Sequence, residues 1–319
     1  MTKITHMPVM LNEMLDALAP RDGAVYVDAT FGAGGYSRAL LEAANCAVWA
    51  IDRDPVAVAI GKDLARSYDR RLMVLSGLFG DMKALLADVG VGQVDGVALD
   101  LGVSSMQIDN AERGFSFRED GPLDMRMSGV DGDMASAAEV VNHMAEGELA
   151  DIIYTYGEER ASRRISRAIV QLRKKEPINR TVQLATLVRS VVRKPKSGVD
   201  PATRTFQALR IYINEELHEL ESGLKAAERV LAPGGRLVVV SFHSLEDRCV
   251  KMFLQKKSGM RPRPSRHMPE CCPMQAPTFR LIKRGASKPV PNEINANPRA
   301  RSARMRWAER TDNAVQDAA

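Results

Sequence analysis

The chain has 319 residues, 45% hydrophobic and 27% charged, which excludes wholesale disorder, a collagen-like repeat and an extended coiled coil, and leaves room for two domains or one with an insertion. The net charge of +5 hides a segregation: residues 160–215 carry 14 Lys/Arg against three acids, residues 255–319 carry 14 against five, and the remainder stands at −15. Two such basic blocks on an acidic body suit a polyanionic partner, although either block alone could be a solvated helix face.

In chain order, residues 8–18 have the apolar spacing of a short amphipathic helix. An alternation of strands and helices follows. Strands are predicted over 24–28, 47–51, 72–75 and 94–99, and helices over 34–44, 55–67 and 81–89. Four β–α units at this spacing predict a parallel sheet with helices on both faces. The alternation stops at residues 103–134, which are rich in Gly, Asp and Ser and read as a long functional loop. Ser136-Ala-Ala-Glu139 is a capping box, and helical segments continue to about residue 194. Asp200-Pro201 opens a second helical run. The apolar spacing from Phe206 to Leu231 predicts one long helix, stopped by Pro233-Gly234-Gly235.

A strand is then predicted over 236–242, a helix capped by Ser244 follows, and 278–283 and 302–307 are closing strands. The organisation expected is therefore a first sheet segment over 1–109, a helical insertion over 110–213 and a second sheet segment over 214–319.

Four cysteines in a chain of this length are not a disulfide framework, and Cys46 and Cys249 fall on predicted core elements. Cys271 and Cys272, near His267, lack the spacer of zinc ligands, so no metal site is expected. No apolar stretch approaches a membrane span and the first twenty residues lack a signal-peptide core, so a cytoplasmic protein is expected.

The chemistry gathers at strand ends. The first strand runs into Asp28-Ala-Thr-Phe-Gly32-Ala-Gly34-Gly35-Tyr36-Ser37. Glycines there let a ligand approach the backbone, but Ser37 stands where a dinucleotide fingerprint has Gly or Ala. An acid followed by a glycine turn instead suits S-adenosylmethionine (SAM), which has no pyrophosphate. Asp52 ends the second strand, where a carboxylate can accept from ribose hydroxyls; SAM and NAD sites share that feature. The fourth strand ends at Asp100. It faces the cofactor's reactive side or, in the plainer reading, caps a neighbouring helix. The fifth ends in Ser241-Phe242-His243, beside the same crevice.

On these residues the chain resembles the bacterial 16S rRNA (cytosine-N4)-methyltransferase family of type H. The matching segments include His6 to Glu13, Asp28 to Gly35, Asp52 to Pro55, Asp100 to Asp109, Arg113 to Phe117 and Gly121 to Met127. Tyr156 to Arg160, Pro201 to Asn214, Ser241 to Arg248 and Asn297 to Ser302 continue the match over nearly the whole length. The resemblance implies a class I SAM-dependent methyltransferase fold, Rossmann-like with a mostly parallel sheet, and an inserted all-helical substrate-recognition domain. It implies methylation of a cytidine amine in the decoding region of 16S rRNA, within an assembled or nearly assembled small subunit. It also implies SAM contacts at Gly34, Gly35, Tyr36, Asp52, Phe79, Asp100 and Gln107. The family usually has His where this chain has Tyr36.

An exocyclic amine is a poor nucleophile, because its lone pair is delocalised into the ring. A carboxylate that accepts one N–H helps the nitrogen pyramidalise and offsets its developing charge. Asp100 is the residue expected to do this, with His243 second as acceptor or relay. Ring-carbon methylation would require a cysteine beside the base, and none lies near the fourth strand's end. The target base must be unstacked, and Phe115, Phe117 and Phe242 are either stacking partners or core.

Three other readings compete. A NAD-dependent oxidoreductase shares Asp52, a small-molecule or protein methyltransferase shares the SAM site, and a non-catalytic RNA-binding factor shares the basic blocks. A homo-oligomer stays open.

Overall fold

The structure, a computed structural model, describes residues 8–129, 134–193, 198–260 and 276–315. The elements run α1 (Leu11–Leu18), β1 (Val25–Asp28), α2 (Gly35–Ala43), β2 (Ala47–Asp52), α3 (Pro55–Ala65), β3 (Leu72–Ser76), α4 (Met82–Asp88) and β4 (Val94–Asp100). Then come α5 (Ser105–Asp109), α6 (Ala137–His143), α7 (Glu146–Gly157), α8 (Ser162–Arg173), α9 (Thr181–Val191) and α10 (Ala202–Ile213). The chain closes with α11 (Glu216–Val230), β5 (Leu231–Ser241), α12 (Ser244–Lys257), β6 (Phe279–Leu281), α13 (Pro291–Ala296) and β7 (Arg304–Arg310).

Two compact units result: Met1–Gly102 with Leu217–Ala319, and Val103–Glu216. The first holds one seven-stranded sheet in the order β3-β2-β1-β4-β5-β7-β6. Strands β1 to β5 are parallel, while β7 runs antiparallel to β5 and β6. This is a class I SAM-dependent methyltransferase fold. The sheet core is built from Val27, Ile51, Val97, Leu99, Leu237 and Val239, closed by Leu220 and Leu224 of α11 and Val250 and Leu254 of α12. The order in which strands are added reverses between β1 and β4: β2 and β3 lie to one side, and β4 and β5 to the other. Such a switch point leaves a crevice beyond the strands' carboxyl ends, where ligands of open α/β sheets bind.

The second unit is helical. Leu149 and Ile153 of α7, Ile165 and Ile169 of α8, Leu184 and Val188 of α9 and Phe206 and Leu209 of α10 share one core.

Several local expectations change. The single long helix from residue 200 to 231 is two helices. Glu215 takes a φ of 51°, and buried Asn214 spends its side chain on the Met127 N–H and on the carbonyls of Met125 and Arg210. The apolar spacing carries across this break, so periodicity alone does not reveal it. The second helix ends at Val230, before Pro233-Gly234-Gly235. Leu231 already pairs with Val94, and the strand register shifts between there and Arg236. The glycines therefore sit in an irregular stretch of β5.

Residues 103–129 are not an open loop. Leu123 N–H donates to the Asn179 carbonyl, Met125 N–H to that of Arg113, and Asp124 pairs bidentately with Arg126. A Cβ on Gly121 would lie 1.9 Å from the Ala111 carbonyl oxygen, so the glycine there is a packing requirement.

Candidate active site

The glycine turn is organised by Asp28. One carboxylate oxygen accepts from both the backbone N–H of Ser37 (3.1 Å) and its hydroxyl (2.7 Å), and the other accepts from Thr30 N–H. The hydroxyl that breaks the dinucleotide fingerprint is thus the one that ties the strand end to the first turn of α2. Burial pushes Asp28 up to about 6, against the Ser37 hydrogen bond. Gly34 caps α2 with a φ of 77°, and Phe31 and Leu64 pack where its Cβ would stand.

Tyr36 is buried, and its hydroxyl donates to the carbonyl of Val9. A Cβ on Gly35 would lie 2.1 Å from Pro8. Segment 8–10 is therefore laid over the start of α2, and Met10 N–H donates to Glu293 (2.6 Å).

Asp52 accepts from the N–H groups of Gly32 and Asp54, each at 2.8 Å, so it joins the turns after β1 and β2. Burial raises its carboxyl above the ordinary range. A carboxylate retains lone pairs after two such bonds, so ribose hydroxyls can still be accepted. Phe79 opens a 3₁₀ turn after β3. Its ring lies against Gly223 of α11, and Gly80 N–H donates to Glu219 (2.7 Å).

Asp100 ends β4 across the switch point from Asp28. Its N–H donates to the Thr30 hydroxyl (2.7 Å). Its Oδ1 is buried with no hydrogen-bond partner among the described residues. Burial, with the carboxylates of Asp28 and Glu246 nearby, pushes Asp100 well above the ordinary carboxylate range. The next strand end is adjacent, since Asp100 is in register with Val240 and Leu101 N–H donates to the Val240 carbonyl. Ser241, whose hydroxyl is also buried without a partner, and His243 follow directly.

His243, rather than Ser244, is the N-cap of α12. Its Nδ1 accepts from Glu246 N–H (3.3 Å), while Glu246 accepts from the N–H groups of Phe242 and His243. With Nδ1 an acceptor, the neutral ring carries its proton on Nε2. That atom stands 3.0 Å from Glu246 Oε1, but its alignment is not that of a hydrogen bond.

The sheet unit thus brings Gly34, Gly35, Asp52, Phe79, Asp100 and His243 to its strand ends, with Tyr36 behind the glycine turn. Gln107 belongs to the helical unit. Its side chain closes the capping box of α5 by accepting from Ser104 N–H (2.9 Å). Phe115 and Phe117 pack against the helical core, Phe117 edge-on to Phe206 at 4.8 Å. The metal reading of His267, Cys271 and Cys272 falls outside the described residues.

Glu246, Glu219 and Thr30 carry no role in the sequence reading. The first had a signal: it stands three residues after His243, the spacing of a capping box with imidazole in place of hydroxyl.

The buried carboxylates of Asp28, Asp52 and Asp100, the last with an orphaned oxygen, favour a cationic partner. A ligand bearing both cationic centres and ribose hydroxyls fits them, as SAM does.

The sequence of the MraW methylase family matches residues 3–311 of this chain. Three proteins called ribosomal RNA small subunit methyltransferase H are similar to it. That of Rhodospirillum centenum is 64% identical over 306 residues, covering 96% of this chain and 92% of the relative. That of Paramagnetospirillum magneticum is 60% identical over 307 residues, 96% of each. That of Rhodospirillum rubrum is 56% identical over 311 residues, 96% and 94%.

Proposed function

The chain belongs to the MraW methylase family, and from that premise we propose that it methylates the exocyclic N4 amine of a cytidine in the decoding region of 16S rRNA, using SAM. The observation that carries this reading is the buried, unpartnered Asp100 oxygen at the switch point, beside Asp28. SAM, when bound, supplies a sulfonium-activated methyl group.

Gly34, Gly35 and the backbone of Tyr36 would hold its amino-acid end, Asp52 the ribose, and Phe79 the base. The resemblance adds Gln107 as a contact. Asp100 accepts one N–H of the cytidine amine and so frees the nitrogen lone pair for in-line attack. Cationic charge brought near Asp100 lowers its pKa and restores the acceptor form. On methyl transfer Asp100 would take the amine proton and pass it to water, so that the product amine leaves neutral. His243 accepts from Glu246 N–H through Nδ1 as the cap of α12, so it orients the strand end rather than taking that proton.

The basic blocks supply grip on RNA phosphates, and the substrate form proposed is the nearly assembled small subunit in the cytoplasm. No helix among the described residues is long and apolar enough to cross a membrane.

The test is to map methylcytidine in 16S rRNA from cells lacking this protein. Loss of one N4 methyl group in the decoding region, restored by the wild-type chain and not by Asp100→Ala, is the expected result. An unchanged methylation map overturns the proposal.

A further inference from the structure

On the helical unit, the junction of α7 with α8 and the end of α9 enclose an open groove of about 610 Å³. Four arginines line it: Arg160, Arg164, Arg189 and Arg193. Its one acid, Glu159, is nearly buried and already committed. It accepts from Ala161 N–H (2.8 Å) and lies 3.8 Å from Arg204. Arg189 is committed too, gripping Asp200 through Nε and Nη2 at 3.0 Å and lying over the Phe117 ring.

The side chains of Arg160, Arg164 and Arg193 are exposed and have no hydrogen bond or ion pair among the described residues. Three like charges held around one concavity repel each other. Arg164 also stands in the first turn of α8, where the helix dipole adds to its charge and no acid offsets it.

We infer that this groove is a binding site for the sugar–phosphate backbone of RNA. Guanidinium groups match phosphate oxygens bidentately, which an ammonium does not. The volume falls in the range of about 300–1,000 Å³ typical of ligand sites and exceeds the need of a lone phosphate. The remaining lining, Ala161, Ser190, Val191 and Val192, offers no aromatic ring for stacking and no amide for a base edge. The groove therefore offers RNA mainly cationic contacts, the kind that grip the backbone. It also lacks the large apolar anchor that an acidic peptide would use.

This inference rests on the rRNA reading above and assigns one of its gripping surfaces. The experiment titrates the full chain with a fluorescent single-stranded fragment of 16S rRNA at several salt concentrations. It compares wild type with the triple variant Arg160→Gln, Arg164→Gln, Arg193→Gln. Each lost phosphate contact to a single strand flattens the plot of log affinity against log salt by about 0.7.

The triple variant should bind at least about tenfold more weakly at low salt, with a slope smaller by about 2. Its melting temperature and SAM affinity should match wild type. The corresponding triple Arg→Lys variant should recover most of the slope, and Lys62→Gln on the sheet unit should leave it unchanged. If the triple Gln variant keeps wild-type affinity and slope while wild type methylates rRNA, the groove assignment falls and the methyltransferase reading stands. If wild type neither binds the RNA nor methylates small subunits, both fall. Equal competition by polyglutamate and by RNA for the groove also overturns the assignment.

Discussion

The hydroxyl of Tyr36 is spent on the backbone carbonyl of Val9. Both residues are buried, so the phenol fastens the segment ahead of α1 to the start of α2. The imidazole usual at this place in the resembled family is replaced by a group whose side chain works on the protein itself.

Tyr36→Phe removes that bond and leaves a buried carbonyl unpaired. Stability should fall by about 1–3 kcal/mol, read as a lower melting temperature. SAM affinity, measured by calorimetric titration, should change by less than about threefold, because the contact proposed here is through the backbone. A large loss of affinity at unchanged stability would show that the side chain itself touches the cofactor.

Asp100→Asn tests function against stability. The variant keeps the shape of the side chain but removes a buried carboxyl that Asp28 and Glu246 disfavour. Turnover should fall by roughly 10²–10⁴-fold, because the amide oxygen still accepts an N–H but cannot take the amine proton. The cofactor-free protein should become more stable by roughly 0.5–2 kcal/mol. Single-turnover methyl transfer and thermal melting measure the two effects, and retained turnover would remove Asp100 from the mechanism.

Asp28 predicts a pH dependence of definite sign. Its folded pKa of about 6 lies above the ordinary 3.8, so between those values the folded state holds more protons than the unfolded one. Its contribution to stability is therefore fully present below about 3.8 and is lost as the pH rises through 6. The loss amounts to about 3 kcal/mol. Relative to wild type, Asp28→Asn should gain stability progressively from pH 4 to pH 7 in urea unfolding. A constant difference across that range would contradict the raised pKa.

Gly223→Ala places a methyl group 2.3 Å from a Phe79 ring carbon, so the ring must move. Overpacking of this kind costs about 1–3 kcal/mol, and the turn carrying Phe79 and Gly80 is the element that can give. KM for SAM should rise roughly tenfold with kcat little changed. If kcat falls alone, Phe79 does not hold the cofactor.

The sheet was legible because each strand from β1 to β4 is a short apolar run ending in a polar or acidic residue, and α3 between two of them carries a start signal. Asp54 caps α3 ahead of Pro55. The acids at strand ends were legible for the same reason, since an ionisable group directly after a buried run has few structural uses.

What stayed hidden depends on contacts between residues far apart in sequence. Asn214 breaks a helix because Met125 and Met127 are there to bond it. Glu219 meets Gly80 across 139 residues. The His243 cap escaped detection because imidazole is a rare cap and a serine stands beside it. The short elements α13 and the 3₁₀ turn at Pro298–Ser302 have too few apolar positions to show a period.

The strand order has a consequence for synthesis. Strand β4 is made early, yet its partner β5 is in register with it through Asp100 and Val240, on the far side of the whole helical unit. The helical unit is a single continuous stretch with its own apolar core, so it needs no residue of the second sheet segment to close. As the chain leaves the ribosome, the helical unit can fold while β4 still exposes an unpaired edge. That order hands a period of vulnerability to the sheet, which ends only when β5 and then β7 emerge and close it.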